Sequence, residues 1–389
     1  MSHQARMKQR GAAYDLGGQI MTPAYSIYLD LVRFIAALAV YLDHLSAYPF
    51  SRDVKSNWQP LLDTYGGTAV VIFFVLSGYV IAYVASTRET TPIEYASSRI
   101  ARLYSVVVLA LVLTYAFDSL GMSLNPEFYR IQKVLWKPES WAGYLSSAIF
   151  VNEFQVFRFN GIVPGTNAPY WSLSFEATYY LLAGLMLFAR RRLALPMSAV
   201  ILVFAGRTIT ALLPIWVLGF ALYRGRTWLR WRIPAPGTVC GGSAIVILLI
   251  PAISIHLPAD YFGVVFPWGR GPFNRNLLGD YATAIAFGIN LLATRQMLTQ
   301  STAVPTRIGI FIKWLGGLSF PMYAIHYPAL CLFAAISPWP RATPANMIFV
   351  STAVGLLIVL VTPICDLQKV AIRNRLRQLF GTRRSTVAL

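Results

Sequence analysis

The chain has 389 residues, of which 56% are hydrophobic and 12% charged, with a mean hydropathy of +0.55. Soluble domains carry about 25% charge, so this balance excludes an ordinary water-soluble enzyme and predicts a polytopic membrane protein. A net charge of +18 raises nucleic acid as a partner, but the basic residues are placed to set membrane topology instead.

The first 26 residues are polar and basic, without the apolar stretch or small-residue cleavage site of a signal peptide. They are expected to form a short disordered cytoplasmic head. Apolar runs then predict ten spans, at about 27–49, 66–86, 103–117, 170–189, 193–206, 208–223, 237–256, 279–294, 314–335 and 347–365. Several reach the roughly 20 residues that cross a hydrocarbon core of about 30 Å. The weakly apolar WAGYLSSAIFV, 141–151, is read as a re-entrant or interfacial piece of one long outer loop, 118–169, because ARRR at 189–192 belongs in the cytoplasm. In the pair 193–223 the first member is short and Arg207 stands at the tip. Segments assigned to the cytoplasm hold 22 Lys and Arg, the opposite loops hold 10, and Arg33 is left inside a span. That asymmetry puts both termini in the cytoplasm. The fold expected is an all-α membrane bundle over 27–365, followed by a basic tail, 366–389, suited to anionic lipid. Cys240, Cys331 and Cys365 lack metal-ligand or CxxC spacing, so they are read as packing residues.

Ionisable groups inside these spans are the candidates for function. In RFIAALAVYLDH, 33–44, Arg33 and His44 are eleven residues apart. On a helix that is three turns plus about 20°, so both share one face at depths about 16 Å apart. With the amino terminus inside, Arg33 lies near the cytoplasmic end and His44 near the outer end. Asp30 is one turn from Arg33 and can pair with it, whereas Asp43 points about 100° away from His44. A purely structural alternative has Arg33 snorkelling and His44 making one interhelical bond. SGYV, 77–80, places Ser77 and Gly78 mid-span, where small residues usually serve packing. SSRIAR, 97–102, sets Arg99 and Arg102 one turn apart at the start of the third span. Topology alone accounts for them, or they form a fork suited to phosphate oxygens. In PYWSLSFEATYY, 169–180, an interfacial aromatic belt accounts for Tyr179 and Tyr180. Glu176 lies about two turns into its span, near the depth of His44, where a lone carboxylate needs a partner. His326, in SFPMYAIHYP at 319–328, is either a satisfied core histidine or a second polar lining residue.

Taken in order, Arg33 to His44, the SGYV segment, the RxxR of Arg99 and Arg102, the WSLxxE of Trp171 to Glu176, and YAIHYP resemble the integral-membrane acyltransferase type 3 family of bacterial O-acyltransferases. The resemblance runs over roughly 26–365. It implies a bundle of about ten helices in the bacterial inner membrane that moves an acyl group, most often acetyl, from cytosolic acyl-CoA to an acceptor hydroxyl at the outer face. By the same resemblance His44 is the catalytic base and Glu176 a supporting carboxylate that orients its ring. Arg33, Arg99 and Arg102 bind the donor, and Asp43, Ser77, Gly78, Trp171, Ser172 and His326 support them or bind substrate. The donor expected is acetyl-CoA or another acyl-CoA such as succinyl-CoA. The partners expected are membrane lipid, a surface glycan and other polysaccharide-synthesis proteins, with no metal and no nucleic acid. Two other classes use the same residues: a transporter or flippase whose path is lined by Arg33, Glu176 and His44, and a scaffold in a polysaccharide-synthesis complex. Inverted hydropathy repeats, which mark many transporters, are not seen.

Overall fold

The structure, a computed structural model, describes residues 21–47, 64–131, 141–157, 162–225, 232–256, 277–298, 306–341 and 343–380. Of these, 88% are helical, and no strand occurs among them. The α-helices are α1 (Pro23–Ala47), α2 (Gly66–Thr87), α3 (Pro92–Leu124), the short α4 (Pro126–Ile131) and α5 (Trp141–Ala148), α6 (Trp171–Phe188), α7 (Arg191–Ala205), α8 (Arg207–Arg224), α9 (Pro236–His256), α10 (Leu277–Leu298), α11 (Thr306–Ile336) and α12 (Pro344–Leu379). Each expected span has its long helix. Seven of these, α1, α2, α3, α9, α10, α11 and α12, are long and apolar enough to cross a membrane. The chain is an integral membrane protein. Helix α7 has 15 residues, a rise of about 22 Å and so less than a bilayer core. The head up to residue 20 and the last part of the tail, 381–389, lie outside the described residues.

Large apolar side chains face outward, among them Val112, Val203 and Leu360, while Ser, Thr and Asn are buried between helices. That inversion suits lipid, where apolar contact between helices gains little over contact with acyl chains and close packing and interhelical hydrogen bonds hold the bundle. One core joins α1, α2, α6, α8 and α10 with parts of α3 and α11; the other joins α1, α3, α11 and α12. Helix α1 belongs to both, so the groups it carries lie where they meet. Gly78 lets α2 cross α8 backbone to backbone: a Cβ there would overlap the Trp216 carbonyl, and one on Gly219 would overlap the Val75 carbonyl. Gly78 is thus a packing residue.

Three elements run clearly longer than expected, α11 beginning at Thr306 and not near 314. Helix α3 starts at Pro92, not near 103, because Thr91 accepts from the Glu94 amide while the Glu94 side chain accepts from the Thr91 amide, with Pro92 in the first turn. Arg99 and Arg102 therefore stand within a helix already formed. Helix α12 continues past 365 to Leu379, making most of the basic tail helical. The 141–151 piece contains only the eight-residue α5, about 12 Å long and too short to cross. It closes with Phe150 at φ 61°, Val151 N–H donating to the Ser146 carbonyl at 2.8 Å and Phe150 N–H to that of Ser147 at 3.0 Å. Glycine is usual at such a cap; here the Phe150 ring is buried, with its centroid 5.4 Å from that of Tyr104. The chain then returns through Thr166 and Asn167. Thr166 bonds the Asp118 carboxylate by its amide at 2.8 Å and its hydroxyl at 2.7 Å. Pro328 lacks the N–H that would reach the Ala324 carbonyl, and the Asn167 amide takes its place at 2.9 Å.

Candidate active site

A cavity of about 700 Å³, mouth included, opens where the two cores meet and is lined from α1, α2, α3, α6 and α11. Arg33, Arg99, Arg102, Ser77, Ser172 and Glu176 all contribute to its wall. Arg33 pairs with Asp30 at 3.2 Å, and Asp30 in turn rests on Gly316, where a Cβ would come within 2.8 Å of it. Arg99 is more committed: its Nη2 lies 2.6 and 2.5 Å from the two Glu89 oxygens, and its guanidinium covers the Tyr95 and Tyr180 rings at 5.1 and 5.6 Å. Arg102 lies 4.0 Å from Glu176 Oε1 and 5.7 Å over the Phe320 ring. Arginine suits this wall because its fork matches carboxylate or phosphate oxygens and its plane stacks on aromatic faces. Arg99 is offset by Glu89 and Arg33 by Asp30, so Arg102, 4.0 Å from Glu176, is the least closely paired of the three.

Glu176 accepts from the Tyr180 hydroxyl, one turn along α6, and from Ser77 Oγ at 3.4 Å. Ser77 Oγ also accepts from Trp216 Nε1 at 3.2 Å, linking the carboxylate to α8. At the other end of the wall Ser172 Oγ and Tyr323 Oη are 2.7 Å apart, and Tyr323 donates to the Pro169 carbonyl at 3.2 Å.

His44 stands outside that wall, three turns along α1 from Arg33. Its Nδ1 is 3.0 Å from Nε2 of His326 on α11, and its ring packs edge-on against Tyr327 at 5.0 Å. The His44 side chain is 25% exposed, whereas His326 is 0% exposed. The Asp43 carboxylate turns back to within 4.0 Å of His44 Nε2, closer than the helical-wheel angle suggests, over Gly66, which leaves room for it. The helices thus bring together two groups: three arginines with Glu176 in the cavity, and His44 with Asp43 and His326 beyond it.

Two expectations are corrected. Glu176 does not touch the His44 ring; its partners are Tyr180, Ser77 and Arg102. Equal depth estimated from two separate helices says nothing of which way each side chain faces. Tyr179 and Tyr180 are not an interfacial belt, since both are buried; Tyr179 donates to the Ile209 carbonyl at 2.7 Å, and Tyr180 holds Glu176. Trp171 is likewise buried, edge-on to Phe175 at 5.0 Å. Glu89 and Tyr323 escaped the sequence reading because nothing local marks a loop acid or one tyrosine among many. Tyr180 carried a signal, being four residues from Glu176 on one helix face.

The acyltransferase-domain profile matches residues 26–365. The chain belongs to the type 3 acyltransferase family. All five helices that line the cavity, and the histidine pair, fall inside or overlap the matched region. It is 28% identical over 151 residues to the acyltransferase MdmB of Streptomyces mycarofaciens, a match covering 39% of this chain and 36% of that one. It is 26% identical over 164 residues to an O-acetyl transferase of Shigella phage Sf6, covering 40% and 44%. The longest of these matches, 24% over 310 residues, is to the exopolysaccharide production protein ExoZ of Rhizobium meliloti, covering 75% and 87%. The chain thus spans about a third of the Streptomyces relative's length. No solved structure matches.

Proposed function

We propose that this acyltransferase moves an acyl group, acetyl in the first instance, from cytosolic acyl-CoA to a hydroxyl of an extracytoplasmic glycan, with His44 as the base. The observation that carries this reading is that one helix presents Arg33 to the cationic cavity and, three turns on, His44 to a second, partly exposed group. Donor phosphates are held by Arg33 and Arg102, with Arg99 beside them, and the slender pantetheine arm extends toward the outer end. The separation of about 16 Å along α1 is one such an arm can span.

The acceptor oxygen attacks the thioester carbonyl as its proton passes to His44. The carbon–sulfur bond then breaks, an O-acyl ester forms, and CoA leaves as a thiolate that recovers the proton. A positioned base of this kind contributes about 10²- to 10⁴-fold. Asp43, close to the ring, stabilises the imidazolium that forms. The names of the phage and Rhizobium relatives support an acetyl group and an exopolysaccharide type of acceptor.

The same reading holds ten crossings, both termini in the cytoplasm and residence in the bacterial inner membrane, supported by the distribution of Lys and Arg. Reporter fusions test it: one after residue 50 should read outside and one after residue 192 inside, and an inside signal at residue 150 overturns the count. The chemical test uses purified protein in nanodiscs with radiolabelled acetyl-CoA and a panel of surface glycans. Histidine-dependent CoA release with label on a glycan is expected. A well-folded protein that turns over no acyl-CoA points to the transporter or scaffold class.

A further inference from the structure

The histidine pair fixes more than a contact. His326 Nδ1 lies 2.8 Å from the Met322 carbonyl oxygen and 3.0 Å from that of Tyr323. Carbonyl oxygens only accept, so Nδ1 carries the His326 proton. The ring is 0% exposed and its other neighbours are the rings of Tyr41, Tyr323 and Tyr327. Among the described residues no carboxylate is in contact to balance an imidazolium, so His326 is neutral. A neutral imidazole has one N–H, which leaves Nε2 as an acceptor. That Nε2 is 3.0 Å from His44 Nδ1, so His44 Nδ1 must be the donor between them.

We propose that His326 is a positioning residue that holds the His44 proton on Nδ1 and leaves His44 Nε2 as the basic nitrogen. This rests on the reading of His44 as the base. The direction of the hydrogen-bond relay follows from the backbone of α11: carbonyls of Met322 and Tyr323 orient His326, and His326 orients His44. The opposite His44 tautomer would put two lone pairs face to face at 3.0 Å and aim an N–H at the acceptor hydroxyl, where it cannot take a proton. The groups facing the His44 ring are His326 and Tyr327 from α11, Asp43 beside it and the Val40 carbonyl one turn back on α1, which also accepts a hydrogen bond from the ring; among the described residues Asp43 Oδ2, 4.0 Å from Nε2, is the acid placed to meet the charge that Nε2 gains.

The residue types that replace His326 separate this role from packing. Gln can set a carbonyl oxygen where Nε2 accepts, Asn can reach only the intrahelical carbonyls, and Leu offers neither. With acetyl-CoA and the glycan panel, H326Q is expected to retain kcat within about tenfold of wild type, whereas H326N and H326L lose about 10²-fold or more. Donor KM is expected to change less than about twofold, since His326 lies outside the arginine cavity. Equal losses in all three variants, at equal thermal stability, overturn the proposal. A second measurement needs neither variants that fold nor an acceptor. The chain has four histidines, so ¹⁵N-histidine labelling in nanodiscs gives a spectrum in which protonated and bare ring nitrogens separate. His44 should show a protonated Nδ1 and a bare Nε2; the reverse overturns the proposal. If His44→Ala keeps full activity, the base reading fails instead, whatever the tautomer.

Discussion

The Arg99–Glu89 pair makes a prediction whose sign differs between stability and donor binding. Both side chains are nearly buried, 10% and 6% exposed, and Arg99 Nη2 is within 2.6 Å of both carboxylate oxygens. At such burial solvent screening removes little of the interaction, and breaking a buried pair by deleting one partner typically costs about 3–5 kcal/mol because the other charge is stranded. Glu89→Ala should therefore cost about that much in unfolding measured in detergent, while Glu89→Ala with Arg99→Met recovers most of it. Donor binding should move the other way. Arg99 lines the cavity, so freeing its charge favours an anionic donor by roughly 1 kcal/mol, about fivefold in KM. Glu89→Gln is expected to lower the acetyl-CoA KM and Arg99→Gln to raise it, in the CoA-release assay under saturating acceptor. A KM that rises equally in both variants would refute the reasoning, because Arg99 would then be a strut for α3 and not part of an anion site.

Other outcomes are expected from single contacts. Asn167→Ala strands the Ala324 carbonyl and should cost about 1–3 kcal/mol, and Pro328→Ala in the same chain should recover part of it by restoring the backbone donor; thermal unfolding of the two variants checks this, and no recovery counts against it. Gly78→Ala pushes α8 off α2 at the Trp216 carbonyl and should cost about 1–3 kcal/mol, read as a lower unfolding midpoint together with a weakened Ser77–Trp216 bond. Thr91→Ala removes the α3 cap for about 1 kcal/mol and should leave kcat unchanged. Tyr180→Phe frees one Glu176 oxygen, brings that carboxylate closer to Arg102, and should raise the donor KM with little change in the ¹⁵N spectrum of His44.

The helices were legible because hydrocarbon demands continuous apolar runs, and α2 follows from its run almost residue for residue. Their ends were less so: α3 begins at a Thr-Pro-Ile-Glu cap that an apolar-run reading passes over, and α12 extends past its apolar run through a basic stretch to Leu379. Spacing within one helix was reliable, as Arg33 with Asp30 and the separation of Arg33 from His44 show. Spacing between helices was not. Whether Glu176 faces His44 or Arg102 depends on the rotation of α6, which is set by Tyr179 on the Ile209 carbonyl and by the packing of α2 against α8. The His44–His326 pair joins residues 282 apart, and no local pattern marks one of them as the other's partner.

The most direct test of a reaction that starts at one end of α1 and finishes at the other uses sealed proteoliposomes with a single orientation, fixed by protease mapping of the amino terminus. Labelled acetyl-CoA is supplied only on the Arg33 side and the glycan only on the His44 side. The account predicts labelled glycan on the far side, free CoA on the near side, and neither from His44→Ala. Label appearing only when donor and acceptor share one compartment, or transfer that persists without His44, would contradict it.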